Sequence, residues 1–136
     1  PTGGVLARAN YEPSAPRGVP AWADTQPWYG TTEDPSSTFF YAAAAAQLAY
    51  SLQIAAQRTG STAIAAQVPG WVAEAESAWN WALANTRTGD TDVRDFRTRR
   101  ILAAVWLYKQ TGQARYQDSL AVWNPYTTAT SWDYRE

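Results

Sequence analysis

Chemistry at neutral pH needs groups that hold or release a proton, and this chain is short of them. It contains no histidine and no cysteine. That removes imidazole bases, Ser-His-Asp triads, imidazole metal ligands, thiolate nucleophiles, disulfides and thiolate zinc sites. Acid-base work falls to carboxylates. The stretch QPWYGTTED sets the rings of Trp28 and Tyr29 beside the acceptors Glu33 and Asp34. Sugar rings present C–H faces to aromatic rings and equatorial hydroxyls to carboxylates, so this pairing suits a glucan subsite. It equally suits a hydrophobic anchor that ties an irregular arm to the rest of the fold. The acidic cluster GDTDVRD carries Asp90, Asp92 and Asp95. A helix-loop-helix calcium loop needs Gly at its sixth position and Glu at its twelfth, where this chain has Asp95 and Ile101. The expected reading is a solvated loop with Asp95 capping the helix that follows.

Other partners are limited by charge. The net charge is -1, from 11 basic and 12 acidic residues. Neither nucleic acid nor an anionic membrane finds a concentrated positive face here. No uninterrupted apolar run approaches the roughly 20 residues that span a bilayer. The chain starts at Pro1 and has no Met, as expected of a processed product or a piece of a longer chain. With 46% hydrophobic and 17% charged residues it has the balance of one folded domain of 136 residues. Its 8 Trp and 8 Tyr suit a large core, a stacking platform, or both.

The elements that must position these groups read as helices. Residues 1–36 form an irregular Pro/Gly-rich arm, and about four helices lie within 37–122. The first runs over about 37–57 through FFYAAAAAQLAY, with Pro35-Ser36-Ser37 as its cap and Arg58-Thr59-Gly60 as its stop. Phe40, Ala44, Leu48, Leu52 and Ala55 make one stripe at helical spacing, while Tyr41, Ala45 and Tyr50 point elsewhere. No charge occurs between Ser36 and Gln57, so the helix is expected to be packed on every side. A short turn covers 62–67. Pro69 opens the second helix, with Val72, Ala75, Trp79, Ala82 and Leu83 inward. Trp79 and Trp81 project from nearly opposite sides of it and want partners on both.

The third helix covers 95–110, with Val105 and Trp106 on one side and Tyr108 turned away. Arg97, Arg99 and Arg100 form a solvated helix start that opposes the helix dipole. Gly112 stops this helix, and the fourth spans 114–122 with Tyr116 and Leu120 inward. No strand is expected, and Trp79, Trp81, Trp106 and Trp123 are assigned to packing. Short connections make successive αα-hairpins and an all-α chain.

SSTFFYAAAAAQLAY, WVAEAESAWNWALANT, RRILAAVWLYKQTGQARYQD and TSWD occur in this order. Together they resemble the central part of the catalytic domain of glycoside hydrolase family 9, the inverting cellulases. That family has an AAAxAQ-like helix, a helix ending in AWxWAxxN, a WAAAxLYxATGxxxY block and a loop with SWxD. The resemblance covers about Trp28 to Asp133. It implies that residues 1–136 are part of an (α/α)6 barrel of two concentric helix rings, acting on β-1,4-glucan by inverting hydrolysis. Trp28, Tyr29, Trp132 and Asp133 would hold polysaccharide or oligosaccharide, with Tyr126 and Tyr134 as further surface. It also implies an extracellular or secreted location.

The departures from the family are specific. Inversion uses two carboxyl groups about 6.5 to 9.5 Å apart, and the family places them in an early Asp-Ala-Gly-Asp motif and a late Glu. Neither motif occurs in this chain, so no catalytic residue is assigned and the carboxylates would lie outside it. The Asp-Glu that usually precedes the third block is replaced by Thr98 and Arg99. In some members that Asp binds calcium with groups at the start of the Ala-rich helix, here Ser36, Ser37, Thr38 and Tyr41; no cofactor or metal is expected. A non-catalytic carbohydrate-binding or structural helical-barrel protein is the alternative. Four helices with apolar residues on opposite faces also predict a partner, either the remainder of the same barrel or further copies of the chain.

Overall fold

The computed structural model describes Gly4 and residues 9–10, 29–30, 32–90 and 94–123, with the backbone alone at 9, 10, 29, 30, 94, 122 and 123. The described residues are mostly helical: α1 (Pro35–Thr59), α2 (Thr62–Ala65), α3 (Val68–Asn85), α4 (Arg94–Thr111) and α5 (Ala114–Trp123). Contrary to the expectation of no strand, β1 (Ala9–Asn10) and β2 (Tyr29–Gly30) pair antiparallel, Ala9 opposite Gly30 and Asn10 opposite Tyr29. Two residues a side give no alternation to read, so sequence pattern misses such a ladder.

Local chemistry fixes the helix ends. Asp34 is the N-cap of α1, its Oδ2 accepting from the Ser37 N–H at 2.6 Å, and Pro35 follows in the first turn. Gly60, at φ 69°, closes the helix in the left-handed conformation and donates its N–H to Ala56 O at 2.8 Å. Ser61 caps α2 through Ile64 N–H. Gly112 ends α4 as Gly60 ends α1, at φ 69° with its N–H on Tyr108 O at 2.7 Å. Asp95 lies in the first turn of α4 rather than at its cap, where it still favours the positive end of the helix.

α1 is the central element and packs against both α3 and α4. Its buried residues are Thr38, Phe39, Ala42, Ala43, Ala45, Ala46 and Ala49. The predicted stripe is the opposite face: Phe40 is 55% exposed, Leu48 38%, and Ala44 is exposed. Alanine methyls let the two neighbours approach the backbone closely, which selects the small-residue face for the core. The helix is thus packed on two sides and open on another. By length and composition it could cross a bilayer, although the sequence shows no unbroken apolar run. In the fold its alanine face serves as the core of a helical domain.

The other helices keep more of their expected faces, α3 burying Ala75, Trp79 and Ala82 of its expected stripe. Ala75, Ala78, Trp79 and Ala82 are the buried residues of α3, while Leu83 is exposed. On α4 the inward positions are Phe96, Ala103, Ala104 and Leu107, whereas Val105 is exposed and Trp106 half-buried against the core. Tyr116 is fully buried and Leu120 packs beside it, as expected. The core is a chain of edge-on rings. Phe39 meets Phe96 at 5.5 Å and Trp79 at 5.1 Å, and Trp79 meets Tyr116 at 5.3 Å. One ring from each of α4, α1, α3 and α5 takes part, and such contacts contribute about 0.5–1.5 kcal/mol each beyond burial. Trp81 finds its own partner across α3, since a Cβ on Gly4 would lie 2.6 Å from its ring and 2.8 Å from Glu33 Cδ.

Candidate functional site

Of the predicted sugar-holding residues, Trp28, Trp132 and Asp133 lie outside the described residues, as do Asp92, Tyr126 and Tyr134. Tyr29 is described only as backbone in β2. Asp34 was expected as a hydroxyl acceptor, but its carboxylate is committed to the cap of α1. Asp90 likewise turns inward on its loop, accepting from Arg87 N–H at 2.8 Å. No cluster of three or more metal-type ligands occurs among the described residues.

The position at which some members of the resembled family bind calcium holds an arginine of this chain. Arg99, on α4, donates from Nη1 to Ser36 Oγ at 3.2 Å, and its guanidinium stands 5.8 Å from the Phe40 ring. Arg100 stands at the same distance from the ring of Phe39. These arginines are half-buried between the starts of α1 and α4, where a solvated helix start was expected. Ser36 oxygen and a guanidinium do not make a ligand set for a divalent ion.

A groove opens instead between α1 and the beginning of α3. It has a volume of about 470 Å3 and is lined by Tyr41, Ala66, Gln67, Gly70, Trp71 and Glu74. Gln67, Trp71 and Glu74 follow one another at four and three residues, which puts them on one helical face. Tyr41 reaches the groove from α1. Tyr41 and Trp71 are half-buried and packed against the core, so their rings are held in place before any ligand arrives. Gln67 is the N-cap of α3 but places no side-chain hydrogen bond on the first turn. Its side-chain amide N–H donates instead to Ala63 O at 3.4 Å, while the residue lines the groove. Burial, followed by the negative charge of Glu74, raises the pKa of Tyr41 and keeps its hydroxyl protonated. The site therefore sets two aromatic side chains beside one hydroxyl, one side-chain amide and one carboxylate.

None of the five groups Tyr41, Gln67, Gly70, Trp71 and Glu74 was singled out from the sequence as a ligand contact. The spacing Gln67-Trp71-Glu74 was the available signal. It needs Tyr41, some thirty residues earlier, to become a site, and only the packing of α1 on α3 supplies that.

A second polar cluster lies further along α3. Glu76 Oε1 accepts from Gln113 Nε2 at 2.7 Å, Arg115 Nη2 at 2.9 Å and Tyr116 OH at 3.0 Å, and Arg115 also donates to the Tyr116 hydroxyl oxygen. Burial alone would raise the Glu76 pKa, but these hydrogen bonds and the Arg115 charge outweigh it and lower the value. Burial and the Glu76 acceptor push the Tyr116 phenol up to about 12. With its acceptor oxygen engaged by three donors, Glu76 is a clamp between α3 and α5 rather than a general base. No family model, curated protein or solved structure matches this chain.

Proposed function

We propose that this chain is a glycan-binding segment of a helical-barrel glycosidase acting on β-1,4-glucan, with the catalytic carboxylates on protein outside these 136 residues. The observation that carries the reading is the groove, because paired aromatic faces beside amide and carboxylate groups are what an equatorially hydroxylated pyranose requires. Its volume lies within the range of small-molecule sites, and its open form suits a sugar ring lying along the surface. The four blocks shared in order with glycoside hydrolase family 9 support the barrel and the polysaccharide together. In such a barrel the open face of α1 would be covered by further helices of the same ring. Secretion follows from the same resemblance, since polymeric glucan is met outside the cell.

The test is a titration of the chain with cellotetraose, read by tryptophan fluorescence and calorimetry. Binding is expected in the high micromolar to millimolar range, about -4 to -6 kcal/mol. Trp71→Ala should weaken it at least about fivefold, since a stacked ring contributes on the order of 1–3 kcal/mol. Saturable binding that is unchanged in Trp71→Ala would move the site elsewhere. No binding at all would refute the glycan reading.

A non-catalytic role for the same architecture is favoured by one observation, the Arg99–Ser36 bridge at the place where the family resemblance implies calcium. Hydrolysis of β-glucan by the complete gene product decides between the two. Activity supports the enzyme, and binding without activity supports the carbohydrate-binding alternative.

A further inference from the structure

Resting on the reading of the groove as a glycan site, we propose that it selects 2-amino-2-deoxy sugars, with Glu74 the residue that determines specificity. Among the described residues that line the groove, Glu74 is the one charged group, and none of them is an arginine or lysine. The salt bridge on this helix is Glu76 with Arg115, two residues further on. The negative potential of Glu74 acts across the groove, since it contributes to raising Tyr41 on the neighbouring helix.

Geometry then sets which part of a sugar meets the carboxylate. Glu74 lies three residues after Trp71, so the two side chains are neighbours on one helical face. A pyranose stacked on the Trp71 ring turns its edge, not its face, toward Glu74. In a β-1,4-linked glucan successive rings are flipped, so the equatorial substituent at C2 of every second ring lies on that edge. A hydroxyl there gains a hydrogen bond to the carboxylate, while an ammonium gains the same bond plus the charge attraction, strengthened by the adjacent ring faces. A uronate would bring a second negative charge to the same place and be disfavoured.

The experiment compares the intact chain with the β-1,4 tetramers of glucosamine, N-acetylglucosamine and glucose at about pH 6, where carboxylates are ionised and amino groups protonated. The glucosamine tetramer should bind about three- to tenfold more tightly than cellotetraose, as expected for a solvent-accessible ion pair. The preference should fall to near unity in Glu74→Gln and at about 1 M salt, where exposed charges are screened. The N-acetyl tetramer, bulkier but neutral, should bind like cellotetraose. Equal affinities for the glucosamine and glucose tetramers, or a preference that survives Glu74→Gln, overturn the inference and leave the glycan reading standing. If no tetramer binds, both fall together.

Discussion

Glu76 and Tyr116 couple the contact between α3 and α5 to pH. The folded-state pKa of Glu76 is lowered, so its contribution is present above the ordinary carboxyl range and is lost as pH falls through the folded value. Tyr116 shifts the other way. Its contribution is whole below the usual phenol value near 10 and is lost as pH rises through about 12. Thermal melts across pH should therefore show an acid step that shrinks in Glu76→Gln and an alkaline step that shrinks in Tyr116→Phe, the rest of the alkaline step belonging to Tyr41, whose pKa is also raised. The phenylalanine variant keeps the ring against Trp79, and losing its hydroxyl bond should cost only about 1 kcal/mol at neutral pH. Arg115 is 46% exposed on its side chain, so Arg115→Ala should cost less than about 1 kcal/mol. An acid step that persists unchanged in Glu76→Gln would assign it to another carboxylate.

At the scale of elements, the starts of α1 and α4 are joined by Arg99, which donates to Ser36 Oγ. Arg99→Ala should lower stability by about 1 kcal/mol, and calcium or chelator should leave the melting midpoint of the unaltered chain where it is. A calcium-dependent midpoint would contradict the assignment. These elements were largely legible in the sequence. Pro35, Gly60, Pro69 and Gly112 stand at or beside helix ends for reasons of backbone geometry, and the observed boundaries fall within about two residues of the expected ones. The buried faces were less legible. Between Ser36 and Gln57 no charge marks the wet side of α1, so Phe40, Ala44 and Leu48 fit the helical period as well as Phe39, Ala42, Ala43 and Ala46 do. Tertiary contact alone separates them. Tyr41 and Trp71 were hidden for the same reason, since neither spacing nor composition says that residues on two helices share a groove.

The whole molecule presents more apolar surface than its core absorbs. Phe40, Leu48, Leu102, Val105 and Tyr108 on α1 and α4 are between 37% and 55% exposed. Isolated apolar side chains are ordinary on a surface, but so many on two adjacent helices call for a cover. On its own the chain should sediment as more than a monomer and bind a hydrophobic dye. Phe40→Ser with Val105→Lys should reduce both while leaving the cellotetraose affinity intact, because neither residue lines the groove. A monomeric, dye-free chain would show that this face needs no partner.

The ring chain through the core gives the protein an internal optical reporter. Tyr116 lies 5.3 Å from Trp79, centroid to centroid, well inside the range over which an excited phenol hands its energy to an indole. Emission from that tyrosine is silent while α5 is docked and brightens when α5 leaves α3. Detachment of α5 should therefore add a tyrosine emission to the unlabelled chain that Tyr116→Phe removes.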